Sequence, residues 1–152
     1  VDDDTIKTII TASQFSPSAC NQQPWHYVVI RSRATLDKVT AIHPHCSAAA
    51  TAPVAVVVCG DTEGQKAPDG FWVQDVSSAI QTMMLAAHSA GLGSVWCGIH
   101  PLEERVAEFR KLLGIPVNVV PVAIVPIGFP ANVSTAPPPS RFRPERIHAD
   151  HW

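Results

Sequence analysis

The sequence predicts a sheet with helices laid on it, an α/β or α+β arrangement in one domain. Three observations carry that expectation. Segments with helical spacing of apolar residues alternate with short β-branched runs in the order α-β-α-β-α-β-α-β. The run Pro53-Val54-Ala55-Val56-Val57-Val58-Cys59 is apolar throughout, as a strand covered on both faces requires. Trp72 to Ala90 is apolar around most of its circumference, with Asp75 as its one charged residue, the pattern of a helix in the middle of something. At 152 residues the chain is long enough to bury one core.

Taken in order, Asp2, Asp3 and Asp4 mark a helix N-terminus, and Ile6, Ile9, Ile10 and Phe15 continue it until Ser16-Pro17. Trp25 to Ile30 is a short aromatic and β-branched run, hence a strand. Leu36, Val39 and Ile42 recur at helical spacing and stop before Pro44. The buried strand closes at Gly60-Asp61, and a loop follows through Gly64, Pro68 and Gly70. Gly91 is suited to a left-handed cap at the end of the long helix. Ser94 to Ile99 is expected as a strand, Leu102 to Leu113 as a helix, and Val117 to Ile127 as a final strand with internal prolines. Residues 131–152, carrying Pro137-Pro138-Pro139, are expected to form an extended C-terminal tail over a surface. No repeat and no interdomain linker is visible, so residues 1–152 are expected as a single domain.

Composition narrows the partners. Eleven basic against 13 acidic residues give a net charge of −2 with histidine neutral, and no basic stripe is visible to track a nucleic-acid backbone. Charged residues are 16% of the chain, below the roughly 25% of an average soluble domain. So few charges predict a surface partly covered by a partner, most simply a second copy. The apolar runs are far shorter than the ~20 residues of a membrane span. Cys20, Cys46, Cys59 and Cys97 form no CxxC pair, Cys59 falls in a buried run, and the acidic opening is not a secretory leader. A cytoplasmic setting is expected, with neither nucleic acid nor membrane as partner.

The segment Ser16-Pro17-Ser18-Ala19-Cys20-Asn21-Gln22-Gln23-Pro24-Trp25 sets polar side chains between prolines directly ahead of a strand. Two readings fit it: a rigid loop offering donors and acceptors to a planar ligand, or a turn whose Ser and Asn bond their own backbone. Residue types alone favour the turn. Gly91-Leu92-Gly93-Ser94-Val95-Trp96-Cys97-Gly98 is glycine-rich but follows a helix and precedes a strand, the wrong order for a phosphate loop. His43-Pro44-His45-Cys46 and His148-Ala149-Asp150-His151 lack the spacing of a zinc motif. No base is placed beside Cys20 or Cys97, no Ser-His-Asp ordering is defensible, and GxSxG is absent, so neither a metal site nor a catalytic side chain is expected.

Together these stretches resemble the FMN-dependent nitroreductase family. The resemblance rests on Pro17 to Trp25, on Ala52-Pro53 before the valine strand, and on Asp75 opening the long helix. It continues through Gly91 to Gly98, Pro126-Ile127-Gly128-Phe129-Pro130, Arg146-Ile147-His148 and Trp152. The chain looks like the compact members without extra lid helices. The resemblance implies a nitroreductase-like α+β fold with a mixed central sheet and an intertwined homodimer holding FMN in a groove between subunits. It also implies a ping-pong cycle from NAD(P)H to an electron-poor acceptor such as a nitroaromatic or quinone. Carried over by position, Pro17, Ser18, Ala19 and Asn21 would line the isoalloxazine from one subunit. Val95, Trp96, Cys97 and Gly98 would meet its redox edge from the other. Arg141 would hold the phosphate, and Gln23 would brace the loop.

Two departures qualify the resemblance. The family's arginine-serine-arginine phosphate clamp precedes the first helix, and the sequence as given opens at Val1 without it. Where larger members place a cation near the flavin, this chain has His45-Cys46-Ser47-Ala48. The alternative expectation is therefore a nitroreductase-like dimer with weak or no FMN binding, in a structural or regulatory role.

Overall fold

A computed structural model describes residues 1–132 and 139–152; Pro137 and Pro138 of the predicted tail lie outside the described residues. Helix α1 (Asp3–Ser13) is followed by strand β1 (Trp25–Ile30), helix α2 (Arg33–Ile42) and strand β2 (Val54–Asp61). Then come helix α3 (Phe71–Ser89), the two-residue strands β3 (Gly93–Ser94) and β4 (Cys97–Gly98), helix α4 (Glu103–Leu113) and strand β5 (Val119–Gly128). The Asp2 carboxylate accepts from the Thr5 amide at 2.7 Å, capping α1 as its acidic start predicts. Gly114, in the left-handed region at φ 67°, ends α4.

Period-two alternation in β2 explains the layering. Val54, Val56 and Val58 face one core with Ile6 and Ile9 of α1 and Val76, Ile80 and Met83 of α3. Ala55, Val57 and Cys59 face a second core with Leu36 and Val39 of α2 and Val106 and Phe109 of α4. The result is an α/β/α sandwich: α1 and α3, the sheet, then α2 and α4. Burial of Cys59 pushes its thiol pKa up to about 12.

The strands run in the order β1-β2-β5, with β3 and β4 both on the far side of β5. The α+β class is as expected; within it, each described pairing is antiparallel rather than mixed. Pro121 sits where the β2–β5 register shifts by a bulge, a position that tolerates a missing N–H.

The expected strand Ser94–Ile99 is broken in the middle. Gly93 and Ser94 pair with Gly128 and Ile127, and Cys97 and Gly98 pair with Ile124 and Ala123, in one continuous register. That register sets Val95 opposite Pro126, which has no N–H to give, and the ladder lapses over Val95 and Trp96. Both side chains are exposed.

Residues 141–152 are exposed throughout, Trp152 completely, with its ring stacked on His148. Among the described residues no helix is long and apolar enough to cross a membrane. Gly60 is sterically required: a Cβ there would lie 2.5 Å from Trp72 Cε3. Gly60→Ala is expected to cost about 1–3 kcal/mol in urea unfolding as Trp72 is displaced; an unchanged midpoint and slope would show that Trp72 moves freely.

Candidate functional site

The loop between α1 and β1 is held by a buried acid. Asp75, 6% exposed near the start of α3, accepts from the Ala19 amide at 2.8 Å through Oδ1 and from Gln22 Nε2 at 2.8 Å through Oδ2. Gln22 Oε1 in turn accepts from the amides of Lys66 and Ala67, tying the loop to the segment ahead of α3. Ser16 donates to Thr82 farther along α3 at 2.8 Å. The Gln23 amide donates to Ser18 Oγ, and Gln23 Nε2 donates to Asn21 Oδ1. The loop is both a self-bonded turn and a rigid polar surface.

Its backbone is strained. Cys20, Asn21 and Gln23 have φ values of 52°, 50° and 49°, the left-handed region that L side chains avoid. Such conformations cost about 1–3 kcal/mol each and persist only where surrounding bonds impose them. Asp75 supplies two of those bonds. The loop that carries Ser18, Asn21 and the exposed Cys20 is thereby fixed against the start of α3, directly ahead of β1.

The second set lies across the sheet. Val95 and Trp96 bow out between β3 and β4, and Gly98 has open space where a Cβ would stand. The Gly98 carbonyl accepts from His43 Nε2 at 2.8 Å and from Arg105 Nη1 at 3.0 Å. Below it Cys46 and Cys97 are buried together, and Cys97 donates to the His45 carbonyl at 3.5 Å. The neighbouring Cys97 thiol and burial push the Cys46 thiol up, and Cys46 in turn holds Cys97 below its ordinary value.

A cavity of about 420 Å³ adjoins this segment, lined by Thr51, Pro53, Ser94, Val95, Gly128 and Phe129 among others. None of its lining residues is charged, and none comes from the Pro17–Asn21 loop. The two predicted sets therefore do not share the lining of this cavity. Arg141 is exposed on the tail.

Among the described residues no group of three or more His, Cys, Asp or Glu gathers as a metal would require. His43 binds Gly98 rather than its sequence neighbours' side chains. Three residues that shape the site were not singled out for these roles from sequence: Gln22, His43 and Arg105. Only Asp75, the lone charge in an apolar helix, gave a signal.

The Nitroreductase family model matches residues 1–46 and 43–129. A relative from Methanothermobacter thermautotrophicus, named "Putative NADH dehydrogenase/NAD(P)H nitroreductase", is 45% identical over 153 residues, covering all of this chain and 78% of its own. A crystal structure from Bacteroides thetaiotaomicron with the same name superposes with a TM-score of 0.92 at 33% identity, covering all of this chain and 87% of that one. An "FMN-dependent Nitroreductase" from Clostridium difficile R20291 shares the fold, with a TM-score of 0.88 at 22% identity over all of this chain and 90% of that one.

Asp75→Asn tests the anchor. It removes the charge and turns one amide N–H₂ toward a donor, at a cost of about 1.5–3 kcal/mol. Urea unfolding should show that loss, and hydrogen exchange should quicken at residues 18–23. Wild-type protection there would mean the loop holds itself.

Proposed function

The chain belongs to the nitroreductase family, and from that premise we propose an NAD(P)H-dependent oxidoreductase that works through bound FMN. The observation that carries the flavin reading is the Val95–Gly98 segment. Its ladder lapses at the exposed Val95 and Trp96, and Gly98 leaves open space against which a flat ring can lie. Amide groups held in fixed positions suit the redox edge of such a ring. The strained loop offers the complementary polar surface through Ser18 and Asn21, and Pro17 and Ala19 supply its apolar walls.

When bound, FMN supplies hydride acceptance from NAD(P)H and electron delivery to an acceptor, for which a nitroaromatic or quinone is the proposed class. A ping-pong cycle follows if donor and acceptor use the same open face in turn. The chain's own part is to bind and orient; no side chain of the site is assigned a proton transfer.

A homodimer belongs to the same proposal. The two site halves do not line a common cavity in the single chain, which supports a second copy bringing Pro17–Asn21 of one chain to Val95–Gly98 of the other. Exposed apolar side chains support that partner: Phe15 is 84% and Leu85 60% exposed, with Phe129, Phe142 and Ile147 also uncovered. Arg141 and the tail are proposed to reach the FMN phosphate.

Purified protein supplemented with FMN is expected to bind it, turn yellow, and oxidise NADH or NADPH when a quinone or nitrofuran is present. Arg141→Ala should weaken FMN about ten- to hundredfold, the worth of one charge-assisted phosphate contact, and leave riboflavin nearly unchanged. Equal loss for both ligands would mean the tail only packs the fold. Protein that takes up no flavin would favour the structural or regulatory dimer instead.

A further inference from the structure

We infer that His43 and Arg105 are positioning residues for the flavin's redox edge, clamping the Gly98–Ile99 peptide so that Gly98, with open space where a Cβ would stand, keeps one backbone orientation. The inference rests on the flavin reading above and adds to it residues outside the predicted site.

Gly98 needs such a clamp. Glycine has the widest backbone freedom of any residue, and β4 is only two residues long, so the ladder alone holds it weakly. The adjoining peptide is bonded from both ends. Its carbonyl takes His43 Nε2 at 2.8 Å and Arg105 Nη1 at 3.0 Å, and its N–H, on Ile99, donates to the Val122 carbonyl at 2.9 Å. The two side-chain donors come from different elements, His43 from the C-terminal end of α2 and Arg105 from α4. Neither can follow the other if one helix shifts.

His43 is built for this task. It is 1% exposed, and its ring meets Phe109 edge-on at 6.4 Å between centroids. The His45 amide donates to Nδ1 at 3.3 Å. An amide N–H can only donate, so Nδ1 is bare and the hydrogen sits on Nε2, where it is given to Gly98. A neutral, single-tautomer donor holds the peptide without setting a second charge beside the Arg105 guanidinium.

The consequence is a redox one. Amide groups fixed at the edge of a flavin stabilise one oxidation state over the other. Loosening them therefore changes the affinities for oxidised and reduced FMN unequally, whereas loosening a merely structural bond weakens both together.

The test uses the full chain with His43→Phe, which keeps an aromatic ring without a donor, His43→Gln, which restores an N–H, and Arg105→Met, which keeps the aliphatic stem. Nitrogen-15 spectra of flavin-free wild-type protein should show His43 as the Nε2–H tautomer. The ratio of dissociation constants for oxidised and reduced FMN should change about tenfold in His43→Phe, about 30 mV for a two-electron couple. It should move the same way in Arg105→Met and return to within a few-fold of wild type in His43→Gln. An unchanged ratio in folded, flavin-binding His43→Phe or Arg105→Met would overturn the inference and leave the flavin reading standing. An equal loss of both affinities would assign the pair a structural role only and also overturn it. If His43→Phe fails to fold, Arg105→Met decides alone. Absence of flavin uptake by the wild type would sink the functional reading itself, and this inference with it.

Discussion

A strand without a polar face constrains everything else in this molecule. Because β2 carries apolar side chains in both directions, helices must cover both sides of the sheet, and each core is complete only with its own pair. Polar backbone is left to the periphery: the strained loop ahead of β1, held on the start of α3, and the interrupted β3–β4 segment beyond β5.

Each of the two segments is then fixed by a buried polar side chain reaching out of the helical layer. Asp75 satisfies the amide of Ala19 and the side chain of Gln22, holding three left-handed residues in place. His43, joined by Arg105, satisfies the carbonyl of Gly98. A buried carboxylate or imidazole is costly unless it is bonded, so each acts as a locator for a loop that sequence propensity alone would leave loose. The two anchors differ in kind. Asp75 accepts and holds amide donors, whereas His43 donates and holds a carbonyl.

Much of the framework was legible because it depends on periodicity within short windows. Trp25–Ile30 is a strand with those bounds, and the valine strand, the long helix and α4 fall within a residue or two of their expected limits. The break at Val95–Trp96 was not legible, since it depends on which residue of β5 lies opposite, and register is set by the whole sheet. The partners of Asp75 lie more than fifty residues away in sequence, so its isolation in an apolar helix was visible and its task was not. His43 beside His45 lacked the spacing of a metal motif and gave no sign of its task; its ring reaches a carbonyl 55 residues on. Local chemistry was readable and long-range partnership was not.

The central claim of the proposed function is that one flavin site is assembled from the loop ahead of β1 of one copy and the β3–β4 segment of another. Sedimentation velocity followed at the flavin's visible absorbance tests it most directly. The account predicts that the colour travels with a species of twice the 16.3 kDa chain mass, at one FMN per chain and with no coloured boundary at the monomer position. Flavin sedimenting with a folded monomer would contradict it, because both halves of the site would then have to come from a single chain.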